Sequence, residues 1–555
     1  MNTCRQCQAP FQITEADREF YKKVSPLIGQ HRYAIPEPTL CPECRMREKF
    51  VWRSELHLFQ RKSDFSGNMV LSQLPAQADY KVYSEEEWWS DAWNPMDYRQ
   101  EFDFNRPFFE QFDWLMKKVP LIARSVHQNE NCDFVNCTGW SKNCYLIASA
   151  NYNEDCYYGN YLNDSKNCVD CSFVKKSQLC YECVDCIGCY NLKYSQNCNN
   201  CSDSAFLYNC RNCHDCFGSV NLVNRQYVFM NQQLSKEEYE QRIAHLNLQQ
   251  RSRVEEAKAF FEKHQLQYPR RHSAGEMNEN VSGNNLSECK NSQYCFDASD
   301  LEDCRYCIWL GQAKNCMDIY AFGLSAEQSY NSSEIGADSQ RVLFSALVMN
   351  SSDVFYSYNI RQCENVFGCA GLRHKQYCIL NKQYTKEEYE ELVPKIILHM
   401  REAGEWGEFF PMNLSPMAYN QTIAQDYFPL SQKEATELGA KWNQEPEPGA
   451  PMNKVELPDS IEETESSICD QVLTCEKTGR PYRLIPQELE FYRKNNIPLP
   501  SVCFQARHQE RLAKRNPRKL WNRACDQCGG EIETTYSPER LEIVYCEECY
   551  LKEIY

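Results

Sequence analysis

Small or apolar residues recur at every third position along residues 129–224, and the whole pattern returns every twelve residues. The segment divides without insertion into the rows NENCDFVNCTGW, SKNCYLIASANY, NEDCYYGNYLND, SKNCVDCSFVKK, SQLCYECVDCIG, CYNLKYSQNCNN, CSDSAFLYNCRN and CHDCFGSVNLVN. A fixed repeat of this kind is typical of a solenoid, in which each coil buries its inner face against its neighbours. The pattern predicts a β-solenoid-like array with four inward positions in each coil.

A second array follows the same rule with fewer cysteines. Its rows SQRVLFSALVMN, SSDVFYSYNIRQ and CENVFGCAGLRH again begin twelve residues apart, and earlier rows fit after a slip of one residue. Val342, Val354 and Val366 occupy the column that holds cysteine in most rows of the first array. Valine cannot ligate a metal, whereas a buried free cysteine behaves as a small apolar residue. The array thiols are therefore interpreted as core packing; a disulfide ladder and adventitious metal binding remain alternatives.

The two arrays are duplicates, and each is followed by a helix-start signal. CHDCFGSVNLVN lies 150 residues before CENVFGCAGLRH, and the match continues through RQYVFMNQQLSKEEYE and KQYCILNKQYTKEEYE. Ser235 with Glu238, and Thr385 with Glu388, have the spacing of a capping box. We expect helical caps after both arrays, the first ending before Pro269.

Paired cysteines at both ends of the chain predict two zinc ribbons. Two residues between cysteines let one turn present both sulfurs to one ion, and zinc takes four such ligands in a tetrahedron. Four thiolates leave no open position for water, which disfavours catalytic zinc, while a redox or disulfide role remains an alternative. We expect about two Zn²⁺ ions per chain. The predicted ligands are Cys4, Cys7, Cys41, Cys44, Cys525, Cys528, Cys546 and Cys549.

The N-terminal ribbon has a second copy without a complete ligand set. CRQCQAPFQITEADREFYKK, at 4–23, aligns without a gap with CEKTGRPYRLIPQELEFYRK, at 475–494, and PEPTLCPECR aligns with PLPSVCFQAR. Thr478 and Ala506 stand where the first copy has cysteine. We expect the same fold without its metal. The alternative is a new site made from Cys475, Cys503, Cys469 and His508.

The remaining segments complete a multidomain chain. The stretch WWSDAWNPMDYRQEFDFNRPFFEQFDWL is expected to dock on the first array through its aromatic residues. The predicted units are a zinc ribbon (1–55), the aromatic segment (56–128), array 1 (129–234), a helical connector (235–278), array 2 (279–384), a helical cap (385–442), an acidic Pro-rich linker (443–468), the degenerate ribbon with a basic segment (469–523) and a C-terminal zinc ribbon (524–555).

The composition limits the expected cellular compartment and the class of binding partner. The chain has 34 cysteines but no export signal and no apolar run long enough to span a bilayer, so we expect a reducing cytoplasm and no membrane. The net charge of −17 disfavours nucleic-acid contact over the whole surface. Local contact with a polyanion is the hypothesis for the basic segment; the alternative is a solvated helix. Its candidate residues are Arg507, Arg511, Lys514, Arg515, Arg518, Lys519 and Arg523.

Several longer motifs carry a family resemblance. With RKSDFSG, YKVYSEEEWWSDAWNP, FDFNRPFFEQF, the NC-rich rows, YCILNKQYTKEEYEEL and CDQCGGEIETTYSPERLEIVYCEECY, the chain resembles cysteine-rich zinc-ribbon proteins of uncultivated bacteria with small genomes. The resemblance covers nearly the whole length. It supports the architecture and implies no particular activity.

The sequence favours a binding protein over an enzyme. It contains no Gly-rich phosphate loop, no GxSxG and no HExxH, and its ten histidines are scattered. We expect a zinc-stabilised scaffold that contacts an unidentified protein or nucleic acid through its terminal ribbons. The alternative is a metal-handling or thiol-redox protein that uses the cysteine-rich coils.

Overall fold

Both arrays fold as parallel β-solenoids with twelve residues per coil. In a computed structural model that describes residues 1–323, 329–444 and 455–554, Asn136 pairs with Ala148 and Ala148 with Asn160. Single bridges such as Glu130 to Lys142 keep the same spacing. The predicted fold class is confirmed: mainly β, with two solenoid arrays, helical caps and terminal cysteine modules.

Each side of a coil is a triplet with one role per residue. In the triplet that begins at Lys142, Lys142 bridges to the next coil, Asn143 adopts φ 53°, and Cys144 points inward with 2 % exposure. The left-handed middle position turns the chain at each corner, and asparagine and aspartate tolerate that conformation better than most residues. This geometry explains why Asn-Cys recurs. Asparagines of successive coils also bond one another, as Asn131 Nδ2 does to Asn143 Oδ1 at 2.8 Å.

Array 1 forms two parallel ladders on different sides of the coil. Its inward positions are buried as predicted, with Ile147, Cys156 and Leu162 all at 0 % exposure. The final hairpin turns the last strand antiparallel, Phe229 pairing with Gln232. The strands are Val126–His127, Asn136–Gly139, Ala148–Asn151, Asn160–Asn163, Ser172–Lys175 and Val184–Ile187, then Tyr190–Lys193, Ser202–Ala205, His214–Phe217, Gln226–Phe229 and Gln232–Gln233.

Array 2 forms one larger sheet with longer strands in its first half. Val342, Val354 and Val366 are each 0 % exposed, which confirms that valine fills the inward column in place of cysteine. The strands are Gly275–Glu276, Gly283–Ser287, Cys295–Glu302, Ile308–Lys314, Met317–Gly323, Tyr330–Gly336, Gln340–Leu343, Ala346–Met349, Ser352–Phe355, Tyr358–Arg361, Glu364–Phe367, Gln376–Ile379 and Lys382–Gln383.

Helices follow both arrays, and both predicted capping boxes are present, at Ser235 and Thr385. The first expected helix is two helices, because Asn247 takes φ 50° and breaks the run. No helix in the described ranges is long and apolar enough to cross a membrane. The helices of this part of the chain are Lys236–Ala244, Arg251–Gln265, Lys386–Glu402, Ile423–Tyr427 and Gln432–Glu437, with 3-10 turns at Met412–Leu414 and Tyr419–Gln421.

The aromatic segment docks on array 2, so the predicted docking on array 1 is wrong. The Phe108 ring lies 5.5 Å from the rings of both Tyr356 and Phe367, and the Arg373 guanidinium lies 5.2 Å from the Trp88 ring. Aromatic side chains outside the coils of array 2, among them Tyr356 and Phe367, form one hydrophobic cluster with these rings. The segment contains Phe59–Lys62, Met69–Ser72, Val82–Tyr83, Glu85–Trp89, Pro95–Tyr98, Phe108–Lys118 and Leu121–Ile122.

Only part of the predicted acidic linker is described, and that part is packed. Residues 445–454 lie outside the described ranges. Beyond them, Asp459 accepts a bond from the Ser252 amide at 2.9 Å, and Ile461 is 3 % exposed. Residues 455–468 therefore lie against the helix Arg251–Gln265 and do not form a free linker. They include the 3-10 turn Ile461–Glu463, and a second turn, Ser466–Asp470, follows.

The terminal modules are small and built from hairpins and short helices. The N-terminal module contains Asn2–Thr3, Pro10–Phe11, Glu15–Val24, Leu27–Ile28, His31–Arg32 and Pro42–Phe50. The degenerate copy contains Leu473–Thr474, Pro481–Tyr482, Pro486–Lys494 and Phe504–Ala513. The C-terminal module contains Trp521–Ala524, Glu531–Thr534, Val544–Tyr545 and Glu547–Ile554, and its strand Val544–Tyr545 pairs with Arg270–Arg271.

Candidate metal centres and the basic segment

The N-terminal module brings its four predicted cysteine ligands together. Cys4 and Cys7 lie on the turn between the first two strands, and Cys41 and Cys44 lie at the start of the helix Pro42–Phe50. All four sulfurs are within 4.8 Å of one another, and Cys7 Sγ is 3.7 Å from Cys41 Sγ. Cys7 is exposed, whereas the other three are buried.

The electrostatics of this cluster favour a thiolate. Bonds from the Cys44 side chain and backbone amide lower the pKa of Cys41, although burial acts in the opposite direction. Metal ligation requires deprotonated cysteines, and four such sulfurs in a tetrahedral set are the donors that structural zinc prefers. The residues therefore fit a single metal ion of that class.

The C-terminal module repeats the arrangement with a more exposed set. Cys528 Sγ is 3.9 Å from Cys546 Sγ, and Cys525, Cys528, Cys546 and Cys549 all have their sulfurs within 4.8 Å of one another. Burial opposes ionisation of Cys525, but backbone amides, among them that of Cys528, hold its pKa below the ordinary thiol value. Both predicted ligand sets are thus capable of holding a metal ion.

The degenerate copy keeps the backbone of the knuckle, the tight turn that carries the first cysteine pair of the intact module, although two of the four ligands are missing. Cys475 N bonds to Arg480 O at 2.9 Å, as Cys4 N bonds to Ala9 O at 2.9 Å in the intact module. Thr478 Oγ1 lies 3.8 Å from Cys503 Sγ, in the place of the missing thiol. Burial of Cys475 raises its pKa, but the Thr478 hydroxyl and nearby backbone amides lower it to about 7. The site that stabilises a thiolate has survived without a complete set of metal ligands.

The alternative site proposed for this copy does not form. Within the described ranges, the two terminal sets are the only groups of three or more metal-ligating side chains whose donor atoms lie within 4.8 Å of one another. His508 is buried and its Nε2 lies 3.8 Å from Asp426 Oδ2, while Cys469 is half-buried. Cys469 and His508 therefore do not complete a ligand set with Cys475 and Cys503.

Each ribbon copy docks on an array through the same buried ion pair. Arg45 Nε lies 2.7 Å from Asp318 of array 2, and its aligned residue Arg507 has Nε 2.9 Å from Asp170 of array 1. Both aspartates are fully buried at left-handed corners. They occupy matching rows, KNCVD and KNCMD. Sequence reasoning missed this joint, although the aligned arginines and rows carried the signal.

Aromatic contacts support the same equivalence. The Tyr21 ring lies 5.0 Å from Tyr330 of array 2, and the aligned Tyr492 ring lies 5.7 Å from Tyr181 of array 1. The N-terminal ribbon therefore docks on the second array and the C-terminal copy docks on the first. The degenerate copy lacks two of the four cysteine ligands but has the same docking face.

The basic segment is mostly an internal ion-pair network, which corrects the predicted exposed polyanion surface. Arg511 Nη1 lies 2.8 Å from Asp170, and Arg515 pairs with both Asp185 and Asp297. The side chains of Arg507, Arg511, Arg515 and Arg518 are 5, 2, 8 and 6 % exposed. The remaining pairs are Arg518 with Asp297, Lys519 with Glu43 and Arg523 with Asp526.

Lys514 alone among the seven basic residues forms no ion pair in the described chain, and it is exposed. Charged groups that are buried and paired are not free to contact phosphates, because both partners would have to be re-exposed. A continuous polyanion-binding face is therefore not present on this segment.

The array cysteines lie in an interior that already satisfies them. All 34 cysteines belong to the described residues, and none of them forms a disulfide. Cys156 Sγ donates to the carbonyls of Glu154 and Ser165, both at 3.4 Å, and similar bonds recur along the column. These contacts agree with packing and leave no open ligand face.

Comparisons with known proteins bear on the assignment of a function. A comparison with protein-family models and one with curated proteins found no match to this chain. The functional argument therefore rests on the site geometry.

Proposed function

We propose that the protein is a zinc-stabilised scaffold that binds another protein through its terminal ribbon modules. The observation that carries this proposal is that each four-cysteine set lies at the surface of a module that is anchored to the rest of the protein. Each four-cysteine set has one exposed cysteine, Cys7 or Cys528, while the rest of its module is anchored to a solenoid. Anchoring is by the Arg45–Asp318 pair at one end and by pairing of Arg271 with Tyr545 at the other. Rigid display of a small surface lowers the entropic cost of binding.

A protein partner is favoured over a nucleic acid because of charge. The chain carries a net charge of −17, and the one segment with a strong basic excess is neutralised internally. Nucleic-acid binding depends on basic groups that replace counterions along the phosphates. A partner with a basic face complements the remaining surface better.

Metal handling by the coils is the second candidate, and the interior geometry does not favour it. The array sulfurs are buried and donate to carbonyls, as Cys168 Sγ does to Lys166 O at 3.5 Å. A storage protein needs ligands that ions can reach. Metal content separates the candidates: about two zinc ions per chain fit the two ribbons, and a much larger number would favour storage.

Affinity capture with surface variants tests the proposal. Leu541 is 82 % exposed beside the C-terminal knuckle, and Arg5 has a side-chain exposure of 63 % beside the N-terminal one. We expect Leu541→Glu and Arg5→Glu to lose partners that the wild type captures, with zinc content unchanged. Lys236→Glu on the capping helix is the matched control, with a side-chain exposure of 57 %. Equal capture by all variants, or capture that ribonuclease abolishes, would contradict the proposal.

A further inference from the structure

A polar cavity of about 300 Å³ lies where the helical connector, which contributes Gln265 and Arg270, meets four other parts of the chain. Array 1 contributes Tyr208 and Asn209, the start of array 2 contributes Asn284, the basic segment contributes Lys514, and the C-terminal module contributes Tyr550. The cavity is therefore formed only in the assembled fold. Further wall residues that carry polar groups are Asn197, Asn221, Arg270, Asn285, Asn516 and Tyr536.

Arg270 is the unusual residue of this wall. It is only 5 % exposed, and no carboxylate of the described chain forms an ion pair with it. Its guanidinium lies 3.7 Å from the centre of the Tyr208 ring, and its Nη2 donates to Gln265 Oε1 at 3.1 Å. Its Nη1 is buried without a hydrogen-bond partner. A buried charge with an unused donor is costly unless an anion compensates it.

The remaining charges of the wall leave a net positive excess. Lys514, which also lines the cavity, forms no ion pair within the described residues, and the carboxylate of Glu182 acts on it from beyond ion-pair distance. The other basic wall residues are already neutralised, by the pairs Arg211 with Glu276, Arg271 with Glu547, Arg515 with Asp185 and Arg540 with Glu542. Arg270 and Lys514 are thus the two basic wall residues that form no ion pair within the described chain, whose net charge is −17.

The geometry points to a binding site for a small phosphate monoester, a role separate from the proposed display of the ribbons. A phosphate dianion matches two positive charges that have no ion-pair partner, and arginine is the side chain best suited to phosphate oxygens. Within the described residues, the side-chain amides of Asn197 and Asn284 donate no hydrogen bond, and they supply neutral donors for the remaining oxygens. A volume of about 300 Å³ leaves room beside Tyr208 and Tyr536 for a small organic group.

Calorimetric titration of the full-length, zinc-loaded protein with phenyl phosphate and with inorganic phosphate tests the site. We expect both to bind, phenyl phosphate more tightly because its ring contacts the tyrosines. Arg270→Gln and Lys514→Gln should each weaken binding roughly 10- to 100-fold, the effect of losing one charge-assisted hydrogen bond. Lys236→Gln, on a helix outside the cavity wall, is the control and should bind like the wild type.

The use of two variants, Arg270→Gln and Lys514→Gln, separates a loss of binding from a loss of folding. Arg270 is buried, so its substitution can lower the melting temperature, whereas Lys514 is exposed and its substitution should leave the fold intact. Weakened binding by a folded Lys514→Gln protein supports the site even if Arg270→Gln unfolds. Absence of binding by the wild type to both probes, or equal affinity of Lys514→Gln and Lys236→Gln, overturns the inference. Neither outcome depends on whether the ribbons bind a protein.

Discussion

At the scale of the residue, the solenoid is specified by a left-handed corner followed by an inward side chain. Asn167 has φ 52°, and the following Cys168 is fully buried. The inward residue must be small or apolar, because the inward side chains of one coil pack together in a dry interior. Cysteine, serine, alanine, valine, leucine and isoleucine all occur at inward positions, which is why one column tolerates several of them. This tolerance agrees with the interpretation that the array thiols are core packing.

Substitution of the column thiols tests this interpretation. Cys156→Val and Cys168→Val should leave the fold intact and lower the free energy of unfolding by about 1–2 kcal/mol each, because valine fits the space imperfectly. Urea denaturation measures the loss. Zinc content should remain at the wild-type value. A loss of bound metal in the double variant would instead make the coils a metal site.

The buried aspartates at the docking joints should matter far more than exposed ones. Asp170→Asn keeps a residue that tolerates φ 52° but leaves Arg507 and Arg511 without their common partner. Removing one member of a buried ion pair destabilises by about 3–5 kcal/mol. The free energy of unfolding in urea should fall by that amount.

Asp353→Asn is the matched control for this experiment. Asp353 also occupies a left-handed corner, with φ 53°, but its pair with Arg341 has side-chain exposures of 22 % and 48 %. An exposed pair of this kind contributes about 0–1 kcal/mol. If the free energy of unfolding fell equally in the two variants, the buried ion pairs of Asp170 would contribute no more to stability than an exposed pair does.

At the scale of the element, one ribbon fold occurs both with and without a complete set of four cysteine ligands. The degenerate copy holds its knuckle by the bond from Gly479 N to Cys475 O at 2.9 Å, and its docking face by Arg507. Contact with array 1 stabilises this copy, which lacks the complete ligand set that could hold a metal ion in the other two modules. Loss of two ligands was therefore compatible with retention of the fold.

Restoring the two ligands should restore the metal. Thr478→Cys with Ala506→Cys rebuilds the four-cysteine set at positions aligned with Cys7 and Cys44. We expect the bound zinc to rise by one ion per chain, measured by elemental analysis after dialysis. The matched control, Thr478→Ser with Ala506→Ser, should bind no additional ion. No increase in the cysteine variant would show that the backbones of the two copies are not equivalent.

Removal of a ligand from an intact ribbon should have the opposite effect. Cys4→Ser or Cys528→Ser should release one metal ion and unfold only the module concerned, because zinc binding of ~10–16 kcal/mol is folding free energy for such a site. Hydrogen exchange of the hairpin Asn2–Phe11 or Trp521–Thr534 reports the loss. If both modules remain protected after complete chelation, their metal dependence is refuted.

At the scale of the whole molecule, the ribbons cross between the arrays. The N-terminal ribbon contacts array 2 and the C-terminal copy contacts array 1, so each end of the chain closes on the distant repeat. Arg515 also joins the arrays directly by pairing with Asp185 and Asp297. The two solenoids are thereby held as one body by contacts far apart in sequence.

Truncation before residue 469 tests this crossing. Without the C-terminal part, Tyr158 and Tyr181 of array 1 lose the cover of Phe504 and Tyr492. We expect amide hydrogen exchange to accelerate in array 1, while residues 339–379 of array 2 keep the wild-type rate. Uniform acceleration in both arrays, or none in array 1, would contradict the crossed docking.

The sequence by itself determined the repeat, the inward columns, the capping boxes and the cysteine ligand sets. These features are local or periodic: Cys144 and Cys156 are inward because each follows a left-handed corner, and that relation repeats every twelve residues. The ligands Cys4 and Cys7 are likewise set by one turn. Local geometry is readable from spacing because few residues decide it.

Only the tertiary structure decided which surfaces meet. Nothing local distinguishes an exposed arginine from Arg511, which is buried because Asp170 lies on a coil 341 residues away in the chain. The aromatic segment covers array 2 for the same kind of reason: Phe108 finds Tyr356 and Phe367 there. Non-local docking depends on the fit of whole faces, and a pattern of charges or rings along one segment does not specify its partner.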